Sequence, residues 1–170
     1  PSFKVTFNGV EVENGYREYP LIVYKDITYF PMTYYDSRFL GLESNWTAAA
    51  GLQIEKTNVT TAYRPYKGSS KNKSSYTAAI PSFSIKVNNT AVDNAKEEYP
   101  LLSFRDITYF PLTWKYGVDA FGWDYRFTNE GGLVIKSQNP KIDQVALPTP
   151  LAKDYDGSAK AKVAQIGRAS

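Results

Sequence analysis

Four carboxylates, Glu18, Asp26, Glu98 and Asp106, have the best claim to acid–base chemistry in this chain. They form two pairs at one interval: 98 − 18 = 80 and 106 − 26 = 80. Carboxylates recurring in this way could act as a paired acid and base. Little other chemistry is open. The chain has no His and no Cys, which excludes Ser-His-Asp and Cys-His nucleophile systems and imidazole or thiolate sites for copper or zinc. No Asp-x-Asp-x-Asp-Gly calcium loop occurs. The Gly pair Gly131-Gly132 lacks the Gly-x-x-x-x-Gly-Lys setting of a phosphate cradle. Asp26 and Asp106 follow Lys25 and Arg105 at tight turns, where Asp bonds its own backbone. Turn formation is therefore the stronger reading, and no catalytic set, metal site or cofactor is expected.

The interval of 80 belongs to a larger pattern. Asp26-Ile27-Thr28-Tyr29-Phe30-Pro31 returns unchanged as Asp106-Ile107-Thr108-Tyr109-Phe110-Pro111, and Glu18-Tyr19-Pro20-Leu21 matches Glu98-Tyr99-Pro100-Leu101. Downstream the offset becomes 81, pairing Gly41 with Gly122 and Trp46 with Phe127, so the second copy holds one extra residue between Trp114 and Phe121. A period this long describes a domain-sized unit rather than a solenoid turn. The expected organisation is a first copy over 1–56, a linker over 57–80, a second copy over 81–138 and a tail over 139–170 that leads to a missing region.

Each copy is near the lower size limit for an independent core, so the copies are expected to pack together. Hydrophobic residues make up 42% of the chain and aromatics 15%, a globular composition. The net charge is +3, with both signs mixed along the chain, which disfavours a nucleic-acid groove. No apolar run reaches the length of a membrane span.

Local patterns define the unit. Phe3 to Phe7 alternates as a half-buried strand, and Asn8-Gly9 before Val10-Glu11-Val12 is a hairpin signal; Asn88-Asn89 occupies the same place in the second copy. Tyr19 to Tyr24 and Ile27 to Phe30 read as strands joined at Lys25-Asp26. Both faces of the second are apolar, which predicts cover on each side by a helix and by the other copy. Pro31 and Pro111 are placed at the first position of a short helix. Met32, Tyr35 and Phe39 give its inner face, and Leu112, Tyr116 and Phe121 repeat it more loosely. Gly41 and Gly122 supply left-handed ends. Strands follow through Leu42, Ser44 and Trp46 and through Trp123, Tyr125 and Phe127, closing near Leu52-Ile54 and Leu133-Ile135.

This order, carried by Ile27-Thr28-Tyr29-Phe30-Pro31-Met32 with Gly41 and Trp46, and by Ile107-Thr108-Tyr109-Phe110-Pro111-Leu112 with Gly122, Trp123 and Phe127, resembles the copper amine oxidase N-terminal-like domain. That family is a module of secreted and cell-wall proteins of Gram-positive bacteria. The resemblance covers about 2–56 and 82–137; Thr33-Tyr34 and Thr113-Trp114 depart from the small or basic position usual after the Pro-Leu pair. It implies an α+β fold of two tandem repeats, each a small twisted antiparallel sheet packed around one short α-helix. It also implies an extracellular or cell-wall address, without oxidase chemistry.

Aromatic side chains are the remaining candidates for binding. Tyr34 and Trp114 hold equivalent places near the start of each helix, off its apolar face, where rings could stack on sugars or grip a protein. Sealing the contact between copies is the preferred alternative. Trp46, Trp123 and Tyr125 are assigned to core packing. Asn45-Trp46-Thr47 and Asn58-Val59-Thr60 match the glycosylation triplet, of consequence only on a eukaryotic secretory route. The expected function is a non-catalytic extracellular stalk, spacer or docking module of a larger bacterial protein. Its partners would be neighbouring domains; the alternative is recognition of cell-wall polysaccharide or a surface protein.

Overall fold

Short alternating segments separated by tight turns give a strand-rich chain. The computed structural model describes residues 3–57 and 59–138. In chain order its elements are β1 (Val5–Phe7), β2 (Val10–Val12), a 3-10 turn (Asn14–Tyr16), β3 (Ile22–Tyr24), β4 (Ile27–Pro31), α1 (Tyr34–Phe39), β5 (Leu42–Thr47) and β6 (Gly51–Lys56). The same order then recurs: β7 (Ile85–Val87), β8 (Thr90–Ala91), a 3-10 turn (Asn94–Lys96), β9 (Leu102–Phe104), β10 (Ile107–Pro111), a π-helix (Trp114–Ala120), β11 (Trp123–Thr128) and β12 (Gly132–Ser137). The fold is mostly β with little helix. All the named elements belong to one compact unit, Pro1–Thr57 with Tyr63–Gln138. The expected tail over 139–170 lies outside the described residues.

Four hairpins close on two residues in left-handed backbone: Asn8-Gly9, Lys25-Asp26, Asn88-Asn89 and Arg105-Asp106, with φ between 46° and 84°. This is type I′ geometry, whose twist matches that of the flanking strands. The Asn-Gly signal is therefore confirmed, and the two Asp residues serve turns. Gly41 and Gly122, at φ 80° and 72°, end the helical segments as expected.

The sheets depart from the expectation of one antiparallel sheet per copy. Each of three four-stranded sheets draws strands from both halves, in the orders β11-β12-β1-β2, β3-β4-β10-β9 and β5-β6-β7-β8. Two of them contain a parallel pair, β1 with β12 and β6 with β7. Gly51 and Gly132 make these close approaches possible: an added Cβ would lie 2.1 Å from the carbonyl oxygen of Ser84 or Lys4. The physical reason is size, because a unit of this length is near the lower limit for enclosing a core of its own. One cluster accordingly spans both halves, from Phe7, Phe30 and Leu42 to Phe110, Phe121 and Trp123.

The helices also differ from the expectation. Pro31 and Pro111 end strands, and the helices begin later, with Thr33 and Thr113 as N-caps that accept from the N–H groups of Asp36 and Tyr116. Asp36 stands at the third helical position, and its carboxylate accepts from the Thr33 hydroxyl at 2.7 Å. The extra residue of the second copy opens its helix to π geometry: Phe121 N–H donates to the Tyr116 carbonyl, five residues back, at 2.9 Å. Only the first copy therefore has an α-helix. Here Gly117 faces the Tyr125 ring, where the first copy sets Ser37 against Ser44.

The central sheet is covered on both faces. Phe30 and Phe110 join the main core, while Tyr29 and Tyr109 face a second cluster with Leu102 and Phe104. The cover on that second face includes Tyr76 and Ala78 of the connecting segment rather than a helix. The segment is tied down at Asn72 and at Ala79. Asn72 donates to the carbonyls of Asn14 and Arg17 at 2.9 and 3.0 Å, and Ala79 exchanges backbone bonds with Ser103 at 2.9 and 2.7 Å.

Candidate functional site

The four carboxylates considered for catalysis do not gather into one cluster among the described residues. Glu18, Asp26, Glu98 and Asp106 are all exposed, the Asp residues at hairpin tips. Among the described residues, no three His, Cys, Asp or Glu side chains come together. The carboxylate with an unusual setting is Asp36, which is fully buried and paired with the equally buried Arg17 guanidinium. Burial raises its pKa, opposed by the charge and hydrogen bonds of Arg17 and by the Thr33 hydroxyl. Enclosed in this way, the pair organises structure: Arg17 also donates to the Tyr19 carbonyl and lies over the rings of Phe7 and Tyr66. The spacing Thr33-x-x-Asp36 was a readable cap signal, but nothing local pointed to Arg17.

Two buried tyrosines tie the halves reciprocally. The Tyr29 hydroxyl donates to the Pro100 carbonyl at 2.9 Å, and the Tyr109 hydroxyl donates to the Pro20 carbonyl at 2.8 Å. Burial, helped by Tyr24 and Tyr99, pushes the Tyr29 phenol up to about 12, and burial moves Tyr109 in the same direction. Both hydroxyls serve as hydrogen-bond donors between the halves.

The exposed features are aromatic and apolar. Tyr34 is 57% and Trp114 69% exposed, so neither seals the contact between halves. Tyr34 carries the Arg38 guanidinium 3.7 Å above its ring. Trp46 is 56% exposed, contrary to its assignment to the core, and packs edge-on against Phe83 at 4.7 Å. Phe127, equivalent to Trp46, meets Phe3 in the same way at 4.8 Å. Trp123 is fully buried as expected, and Tyr125 is half-buried against the core.

A groove of about 760 Å³ opens between β3 and the connecting segment. Ile22, Val23, Tyr24, Tyr76, Ile80 and Phe104 form its apolar wall, Lys71 and Lys73 add positive charge, and no Asp or Glu lines it. Sequence reasoning missed this site, because the segment over 57–80 has no periodicity to suggest that it lies on a sheet.

No described helix is long and apolar enough to cross a membrane. Comparison with known protein families, curated proteins and solved structures finds no match.

Proposed function

We propose that the chain is a non-catalytic, load-bearing spacer or docking module of a larger secreted or cell-wall protein, built from two tandem copies of a copper amine oxidase N-terminal-like unit. The observation that carries this reading is the parallel pairing of β1 with β12, in which Val5 stands opposite Leu133 and Phe7 opposite Ile135. Tension between the start of β1 and the end of β12 runs along the strands in opposite senses. Their ladder bonds then bear the load together in shear instead of opening one by one. The chain has no Cys, so introduced cysteines are unique handles. Pulling between Lys4→Cys and Gln138→Cys is expected to need a higher unfolding force than pulling between Lys4→Cys and Glu130→Cys, which peels β12 from its first residue. Equal forces along the two directions would remove the load-bearing reading.

A second reading, recognition of cell-wall glycan or a surface protein, is favoured by the exposure of Tyr34 and Trp114 at equivalent positions. Rings at a contact typically contribute about 1 kcal/mol or more each, so Tyr34→Ala/Trp114→Ala should weaken retention on peptidoglycan roughly tenfold or more. Its melting temperature should stay near wild type, because both rings are exposed. Unchanged retention would leave the spacer role alone.

A further inference from the structure

The two outer strands of the central sheet, β3 and β9, are equivalent in the repeat, but only one has its edge covered. Ser103 on β9 pairs antiparallel with Ala79, taking a bond from the Ala79 N–H at 2.9 Å and giving one to its carbonyl at 2.7 Å. The equivalent residue on β3 is Val23, since 103 − 80 = 23. Hairpin geometry fixes where its backbone points. The two-residue turn makes Tyr24 and Ile27 the hydrogen-bonded pair, so Val23 and Thr28 form the next, non-bonded pair. The Thr28 carbonyl indeed points the other way, accepting from Leu112 N–H at 2.8 Å. The N–H and C=O of Val23 therefore face outward, at a residue 47% exposed. Among the described residues no bond reaches them.

An unpaired edge of this kind is a template for one more strand. The covered edge shows what fits. Its occupant is extended and antiparallel, with a small residue opposite the edge position and Ala78 packed on the tyrosine face of the sheet. Beside Val23 that face opens into the groove, whose wall includes Ile22, Tyr24 and Ile80. Lys71 and Lys73 line the same groove, are exposed and make no ion pair among the described residues. With no acidic residue in the lining, the groove's charge selects its occupant.

We infer that the β3 edge at Val23, with its adjoining groove, is a docking site for an extended acidic peptide of a partner protein. The peptide adds to the sheet as a strand through the backbone of Val23, sets apolar side chains into the groove and presents carboxylates to Lys71 and Lys73.

The test uses the full chain and two end-blocked synthetic peptides, both carrying the Tyr-Thr-Ala-Ala-Ile sequence of residues 76–80, whose Ala79 bridges to β9. One is flanked by glutamates and the other by lysines. The glutamate peptide is expected to shift the amide resonances of Val23 and its neighbours and to bind at least about tenfold more tightly than the lysine peptide. Val23→Pro removes the donor at a solvent-facing edge position, where proline is compatible with the strand. It should abolish binding while the remaining spectrum keeps its dispersion. Lys71→Glu/Lys73→Glu should weaken the glutamate peptide and strengthen the lysine peptide, a reversal that general destabilisation cannot produce. Four outcomes would overturn the inference: equal binding of the two peptides, binding that survives Val23→Pro, a Val23 amide already protected from exchange without peptide, or concentration-dependent shifts at Val23 showing that a second copy takes the edge.

Discussion

Trp123→Ala will lower stability by about 3–5 kcal/mol, a large part of the 5–15 kcal/mol typical of a folded domain. The indole is completely enclosed, wedged between Phe30 and Phe121 with ring centroids 4.8 Å from each. Its Nε1–H donates to the Leu40 carbonyl at 2.8 Å. Phe30 and Leu40 belong to the first half of the chain, so this ring joins the halves at the centre of the shared core. Truncation opens a cavity and leaves a buried carbonyl without its donor, two costs that add. Trp123→Phe separates them, because it retains most of the volume and loses the N–H, for about 1–3 kcal/mol. Urea denaturation followed by circular dichroism measures both. A loss below about 1 kcal/mol for the alanine variant would mean that the site collapses without penalty.

Arg17→Met is expected to cost about 3–5 kcal/mol near neutral pH, because it leaves the Asp36 carboxylate buried and uncompensated. The pH dependence carries the clearer signature. Burial already raises the folded-state pKa of Asp36, and Arg17 is the main group opposing that rise. Without Arg17 the folded pKa climbs further above its unfolded value. A raised pKa contributes stability that is complete below the unfolded pKa and is lost as pH rises through the folded one. The melting temperature of the variant should therefore recover as the buffer is acidified from about pH 8 to about pH 5, narrowing its gap to wild type. A gap that stays constant across that range would show that Asp36 is not the cause. Arg17→Met/Asp36→Leu removes both charges and should be near wild type or better, since replacing a buried pair by apolar groups is often neutral or stabilising.

The second copy supports that expectation. Its positions equivalent to Arg17 and Asp36, by the offset of 80, are Glu97 and Tyr116. Glu97 turns to Lys115 at 2.5 Å, and the buried Tyr116 ring packs on Phe110 and Phe121. Burial raises the pKa of its hydroxyl, and the neighbouring Glu97 carboxylate adds to the rise. The place of the buried Arg17–Asp36 pair is thus filled by an aromatic ring, and the charged pair of the second copy, Glu97 with Lys115, lies nearer the surface. Arg17 and Asp36 are one solution to a packing problem, and the second half of the chain uses another.

What could be read from the chain was local. Asn8-Gly9 and its counterparts dictate two-residue hairpins because their backbone preference acts within the turn itself. Gly41 and Gly122 end helices for the same reason, and the missing His and Cys exclude whole classes of chemistry whatever the fold. Alternation placed Trp46 and Trp123 on strands but could not say which ring faces inward, and it assigned Trp46 to the core incorrectly. The extra residue near Trp114 was visible as a shift in register, while its accommodation as a π-helix depended on keeping Leu112, Tyr116 and Phe121 against the core.

Sheet partners were decided at long range. A hairpin leaves one edge of each strand free, and nothing in Val5–Phe7 or Gly132–Ser137 names the other as its neighbour. That choice came from burial: two short halves gain a common interior only by lending strands to each other's sheets. The same competition laid Ala79 beside Ser103 and left Val23 bare, although both edges descend from one repeated pattern. Residue order specified the turns, strands and excluded chemistry, and the need to enclose a shared core selected which edges meet and which stay open.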